Sequence, residues 1–449
     1  MKKLHLLWGL IMLAISGPAL AVPSFARQTG QDCAACHIGS YGPQLTPYGM
    51  KFKMGGYTES DGKEGHIPLS AMLVESFTNT KKDQSEVAAE HFGKNNNASL
   101  QEVSVFVAGR FTENIGAFSQ ITWSEPDRKT SMDNFDVRLV KSMQIGGNDT
   151  VFGISLNNNP TVQDPFNSAG WKFPFIGSEL APTPTAGQII AGGLETQVFG
   201  TTAYALYDNH WYAELGGYKS FSKNMLNKMN IDSTETDKIS GVSPYWRLAY
   251  FNDMHKSSYN IGLFGMNTHI LPGREAGITD KYTDIGIDGS YQFLGTREHV
   301  MTVNGSYTHE HRQLDASFLN DSASQKNGHL DRFDVNTSYH YDKTYGLTAG
   351  FFDIRGNKDS VLYAATDNGD PIADSGSRTN SPNSRGYTLQ ADWTPLGKEQ
   401  SWGAPFANMR FAVQYTGYTK FNGAKNNYDG VGRNASDNNT LYTSLWFAL

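Results

Sequence analysis

The chain of 449 residues holds only two cysteines, Cys33 and Cys36. Two thiols three positions apart cannot make the multi-bridge framework that staples a small secreted domain. Long apolar runs are also missing. Beyond the first turns of the sequence, no stretch approaches the roughly 20 apolar residues that a membrane-spanning helix needs. There is no excess of basic residues either. Lysine and arginine number 37 against 44 aspartates and glutamates, a formal charge of −7, which excludes the electrostatic footprint of a nucleic-acid binder. The hydrophobic share is 39%, while Gly (46) and Tyr (22) are plentiful. An outer-membrane barrel has this composition, because only alternate strand residues face lipid.

The N-terminus supplies an export signal. Lys2 and Lys3 precede an apolar core from Leu6 to Ile15, and Ala19-Leu20-Ala21 offers a cleavage site. Residues 1–21 read as a secretory signal peptide. The thiols therefore enter an oxidising compartment, where a Cys33–Cys36 disulfide is one option. Zinc would need more ligands than this segment offers. His37 follows Cys36 directly, and Cys-x-x-Cys-His is the spacing of covalent haem attachment. Cys33 and Cys36 are expected to bind one haem c through thioethers, with His37 as the proximal axial ligand. The opposite axial position is open to Met50, Met54 or His66, and either methionine has packing on the porphyrin as its alternative.

From residue 66 the chain alternates. Tyr387, Leu389, Ala391 and Trp393 interleave with Thr388, Gln390 and Asp392, and Leu441 to Leu449 repeats the pattern. Period two with one apolar and one polar face describes strands between two different solvents. About sixteen such segments lie between 66–80 and 438–449. Their connections alternate between tight turns, such as 112–115, 146–149, 207–210 and 341–344, and longer polar stretches. The longer stretches are 81–99, 125–134, 159–196, 222–240, 272–280, 315–328, 357–383 and 422–437. Long loops at one end and short turns at the other characterise a transmembrane antiparallel β-barrel. The chain thus divides into a signal peptide (1–21), a haem segment (22–65) and an all-β barrel (66–449). The polar faces place Arg247, Asp284, Asp288, Asp334, His340 and Asp392 in a lumen expected to be wet. His309 and His311 share one face of a strand end with Glu310 opposite, a pair that offers a transient metal ligand.

A segment of about 40 residues buries little core alone, so the haem and the barrel interior are expected to complete it. Phe25 to Gly30, the motif at 33–37, and Leu45, Gly49, Phe52-Lys53 and Gly56-Tyr57 resemble the fused outer-membrane monohaem cytochrome–porins of iron-oxidising bacteria. The chain departs from that family's pattern at Thr46, Tyr48, Met50 and Met54. The resemblance implies a cytochrome plugged into the barrel. It would take electrons from an extracellular donor such as Fe(II) and pass them to a periplasmic cytochrome. Two further readings are a diffusion porin with a haem-bearing plug, and a haem sensor or peroxidase with an open sixth position.

Overall fold

The computed structural model describes residues 24–449 except 64, 171, 235, 368–369, 373 and 399–400. The expected signal peptide lies outside the described residues. Sixteen long strands follow the N-terminal segment: β1 Leu69–Thr80, β2 Asn97–Arg110, β3 Ile115–Ser124, β4 Lys129–Ile145, β5 Asn148–Asn157, β6 Val198–Tyr207, β7 Trp211–Ser220 and β8 Ser243–Asp253. They continue as β9 Ser257–Leu271, β10 Asp280–Phe293, β11 His299–Gln313, β12 Asn327–Tyr341, β13 Tyr345–Gly356, β14 Ser384–Trp393, β15 Asn408–Lys420 and β16 Thr440–Ala448. Each pairs antiparallel with its chain neighbours. A two-residue strand, Lys238–Ile239, adds to the end of β9 and makes the sheet seventeen-stranded.

The sheet closes on itself. β1 pairs with β16 from Met72↔Ala448 to Thr80↔Thr440, so no edge is left open. β14 shows the physical logic of the wall. Its residues alternate without exception between buried and exposed: Tyr387, Leu389 and Trp393 point out, and Ser384, Thr388, Gln390 and Asp392 point in. Among the described residues no helix is long and apolar enough to cross a membrane. A closed barrel with an apolar outer face is the form in which strands do so.

Two expectations fail instructively. The stretch 125–134 is not a long loop. Lys129 to Met132 pair with Ile121 to Ser124, and the hairpin leaves only a tight turn at 125–128. The lumen is not simply wet. Residues 158–197, between β5 and β6, fold back inside the barrel, with Val162, Phe166, Ala169 and Ile190 almost fully buried. The inward charges are mostly consumed by partners. Arg247 pairs with Asp164 of this loop (3.2 Å) and with Asp288 (2.8 Å), Asp334 with Lys172 of the loop (3.3 Å), and Asp392 with Arg410 (3.0 Å). The polar stretch carries enough apolar residues to build a second core, a property that a count of loop polarity hides.

Candidate functional site

Residues 24–57 enter the lumen from the short-turn end and form a plug. It has three helices: α1 Ser24–Thr29, α2 Cys33–Cys36 and α3 Pro47–Met54. Asp32 caps α2 by accepting from the Ala35 N–H at 2.9 Å, and its other oxygen pairs with Lys343 in the β12–β13 turn at 3.1 Å. That turn belongs to the short-turn end, so α2 is tied to the rim there. The plug is held at the same end by Ser40, whose carbonyl accepts from Asn408 at 2.7 Å, and by Lys51 with Asp253 at 2.9 Å.

Cys33 and Cys36 occupy one helical turn, and both thiols are free. Burial pushes each thiol up to about 12. His37 leaves the helix in an extended conformation and bridges to Leu45, so the chain doubles back on itself. Its Nδ1 is buried without a hydrogen-bond partner. Burial pushes the ring down to about 4, and the nearby Gly42 backbone offsets this only in part. A neutral imidazole keeps a lone pair for a metal at physiological pH. Two unpaired thiols a turn apart and an orphaned buried imidazole fit the donor set of a covalently attached haem.

Eight of the residues behind the family resemblance have a visible structural task. Gly49 lets α3 lie on α2: a Cβ there would stand 2.3 Å from the Cys36 carbonyl oxygen. Phe52 packs edge-on against Phe25 (5.0 Å between centroids), and Tyr57 stacks on Phe25 at 5.4 Å. Gly56 adopts φ 68° where a side chain would strike Val140 of the wall, and Tyr57 then donates its hydroxyl to Asp136 at 2.7 Å. Gln28 spans plug and barrel. Its amide donates to the Tyr57 carbonyl at 2.8 Å, and its oxygen accepts from the Arg110 N–H at 2.6 Å. Arg27 donates to the carbonyls of Ile67 and Leu69, where the plug becomes β1. Lys53 reaches the inserted loop, donating to Val162 O and Asn167 Oδ1, both at 2.7 Å.

The candidates for the opposite axial position have other partners here. Met50 and Met54 share one face of α3 and lie fully buried in an apolar cluster with Val140, Phe166, Tyr204 and Tyr212. His66 pairs with Asp61 at 2.9 Å. His309 and His311 do share one face of β11, and it is the outer face; His309 pairs with Asp331 at 2.7 Å. Among the described residues no group of three or more His, Cys, Asp or Glu is arranged to hold a metal ion.

One residue on which sequence reasoning put no weight organises the lumen. Arg138 of β4 pairs with Asp136 at 2.7 Å, donates to the Lys53 carbonyl at 2.9 Å and also to Gln163 of the inserted loop. Its guanidinium lies 5.4 Å from the Tyr57 ring centre and 5.3 Å from that of Tyr204. Wall, plug and loop therefore meet at one side chain. An open cleft of about 340 Å³ lies between the plug (Lys51, Phe52, Gly55) and the wall (Asn114, Val140), whereas the two narrower cavities measure about 30 Å³ (by Gln44, Met50 and Phe166) and about 20 Å³ (by Ile38, Tyr41 and His340). The narrower two hold a water or two, and neither is wide enough for a solute.

No family model and no curated protein matches the chain. Solved structures similar to it are outer-membrane proteins. Outer-membrane expressed OmpT of Vibrio cholerae is 9% identical over 85% of this chain and 96% of its own, with a TM-score of 0.43. The anion-selective porin from Comamonas acidovorans is 10% identical, over 85% and 98%, at 0.43. The outer membrane channel DcaP of Acinetobacter baumannii is 8% identical, over 85% and 96%, at 0.44. The barrel assignment itself rests on the closed hydrogen-bond ladder.

Proposed function

We propose that this chain is an outer-membrane electron-transfer protein. A single haem c, attached through Cys33 and Cys36 and ligated by His37, would sit in the plug. It would pass electrons from an extracellular donor to a periplasmic cytochrome. The observation that carries the reading is the place of the motif: a Cys-x-x-Cys-His turn pinned by Asp32–Lys343 at the short-turn rim of a filled barrel. In outer-membrane barrels the short turns face the periplasm, so a soluble carrier could approach the half-exposed cysteine helix from that side. A closed lumen suits a function in which only electrons cross. Fe(II) is the donor that the family resemblance suggests, and its chemistry agrees. Fe(III) formed near neutral pH precipitates, so oxidation at the cell surface leaves the mineral outside. The group would supply a one-electron redox centre. The chain's own residues would hold it: the thiols fix its edge, and the buried, neutral His37 offers the ring nitrogen. Mixing the purified haem-loaded protein with Fe(II) without oxygen should reduce it, read as growth of the sharp α absorption band. No reduction from acidic to neutral pH would remove iron as the donor.

The porin-type wall supports a second reading, diffusion of small solutes past a plug that moves. The architecture by itself favours this reading, since the electron-transfer reading depends on residues 33–37. Steady conductance of the intact protein in a planar bilayer would support diffusion, and a sealed bilayer would count against it.

A further inference from the structure

The outer face of the barrel is not uniform at the long-loop end. A row of aromatic side chains crosses adjacent strands there. Tyr307 pairs with Phe333, Phe333 lies 6.4 Å from Phe351, and Phe351 pairs with Tyr387. All four are exposed, between 38% and 42%. Such rows mark the depth at which a bilayer passes from hydrocarbon to headgroups.

One step further toward the loops the chemistry changes. His309, His329, Arg355 and Arg385 stand on the same outer face, joined by the register pairs His309↔Asp331, Asp331↔Arg355 and Asp353↔Arg385. Around Asp353 two guanidiniums meet one carboxylate. Arg355 (2.5 Å) and Arg385 (2.9 Å) share Asp353 alone, and their side chains remain 62% and 45% exposed. His309 (2.7 Å) and His329 (3.5 Å) share Asp331 alone. Each carboxylate thus fixes two donors in place and leaves N–H groups unspent toward the membrane.

We propose that this sector, β11 to β14, binds the phosphorylated headgroup of an outer-leaflet glycolipid. Two arginines held by one carboxylate form a rigid fork for a phosphate, and guanidinium geometry suits bidentate contact with it. The aromatic row directly below would lie against the first carbons of the acyl chains. Continuity of the apolar wall with the arginine pair selects a lipid over free phosphate, which would gain nothing from the aromatics. The inference rests on the outer-membrane placement proposed above, not on the haem.

The test uses the full-length protein reconstituted into vesicles of zwitterionic phospholipid containing either lipid A or its dephosphorylated form. Flotation with the vesicles and protease-resistant strands check membrane insertion first, so a failure of the placement shows separately. The protein is then re-extracted in mild detergent, and retained glycolipid is measured by native mass spectrometry. Retention of phosphorylated lipid A, little retention of the dephosphorylated form and no displacement by inorganic phosphate are expected. Arg355→Gln and Arg385→Gln should each lower retention about fivefold, the weight of one cation at a membrane surface. Equal retention of both lipids, displacement by inorganic phosphate, or undiminished retention in both variants would overturn the proposal. A paired Leu215→Ala change on β7, an exposed apolar position outside this sector, should leave retention unaltered and separates loss of the site from loss of the fold.

Discussion

Lys53 of the plug helix donates to Asn167 of the inserted loop at 2.7 Å, and Asn167 in turn donates to the Pro43 carbonyl at 2.7 Å. Plug and loop, which enter the lumen from opposite ends, are thereby clasped at mid-barrel. Lys53→Met removes the ammonium and strands two buried acceptors, Val162 O and Asn167 Oδ1. Each stranded acceptor costs about 1–3 kcal/mol. The variant should keep its barrel, shown by unchanged strand content, and should open. Frequent conductance steps are expected in a planar bilayer where the parent protein is closed. A variant as quiet as the parent would show that this clasp does not hold the lumen shut.

The same lysine makes the clasp sensitive to pH. Burial, aided by the nearby Arg138 guanidinium, pushes Lys53 down to about 8. Its folded value lies below that of an exposed lysine, about 10.4. Between these values the undocked state binds the extra proton, so docking strengthens as pH rises through that window. The cost of charging Lys53 is present in full below pH 8. Opening events should therefore become rarer from about pH 8 to 10 in the parent, and this dependence should vanish in Lys53→Met. An increase in openings over that range would contradict the assignment.

Gly49 supports the motif by having no side chain. Gly49→Ala places a Cβ 2.3 Å from the Cys36 carbonyl oxygen, and that obstacle is backbone, so α3 must move off α2. Overpacking of this kind costs about 1–3 kcal/mol. Less haem per chain is expected, measured by haem absorbance against protein. Plug docking should weaken in parallel, measured as faster proteolysis of residues 24–57. Full haem content would show that α3 does not brace the motif.

The barrel was legible because its signal is repeated. Sixteen alternating segments and an alternation of loop lengths each report the same wall, and a slip of one residue would turn charged side chains such as Asp288 and Arg247 outward. The motif at 33–37 was legible because its spacing is chemical. What stayed hidden were long-range meetings. Nothing near Arg138 in sequence announces Lys53 or Gln163. The inserted loop looked like a surface loop because Asn158, Asn159, Gln163 and Asp164 are polar, although inside the barrel Asn158 and Asn159 bond to β4 and Asp164 pairs with Arg247. Met50 and Met54 were attractive as ligands by spacing alone. Their four-residue separation is equally that of two knobs on one helix face, and the wall of β4, β6 and β7 uses them so.

The thiols bear on the order of assembly. Desolvation is the first cause that pushes Cys33 and Cys36 up to about 12, so both stay protonated at pH 8 in a docked plug. Thiolate is the nucleophile, and its scarcity should slow alkylation by about a thousandfold relative to an exposed cysteine. In chains produced without haem, iodoacetamide should label both cysteines far more slowly in the folded barrel than after unfolding in hot detergent. Attachment of a haem would then have to precede docking. Fast labelling of the folded, haem-free barrel would show the plug to be loosely seated.

Asp284 is a lumen carboxylate for which no cation among the described residues is in salt-bridge range. It is 1% exposed, both its oxygens lack a hydrogen-bond partner, and it faces Glu310 in register. Glu310 is already engaged, accepting from Arg312 Nε and from the Ile189 N–H, each at 2.6 Å. The arginine thus serves one carboxylate of the two, and the second is buried without compensation. Asp284→Asn keeps the size and removes the repulsion, while its amide gains Glu310 as an acceptor. Two buried carboxylates face to face are costly unless one carries a proton, and Asn supplies the neutral form without that uptake, so relief of about 1–3 kcal/mol is expected in neutral to alkaline buffer. The urea midpoint of the detergent-solubilised barrel should rise, whereas Glu310→Gln should lower it by leaving Arg312 without its partner. A lower midpoint for Asp284→Asn would mean that this carboxylate does hold a cation in the folded protein.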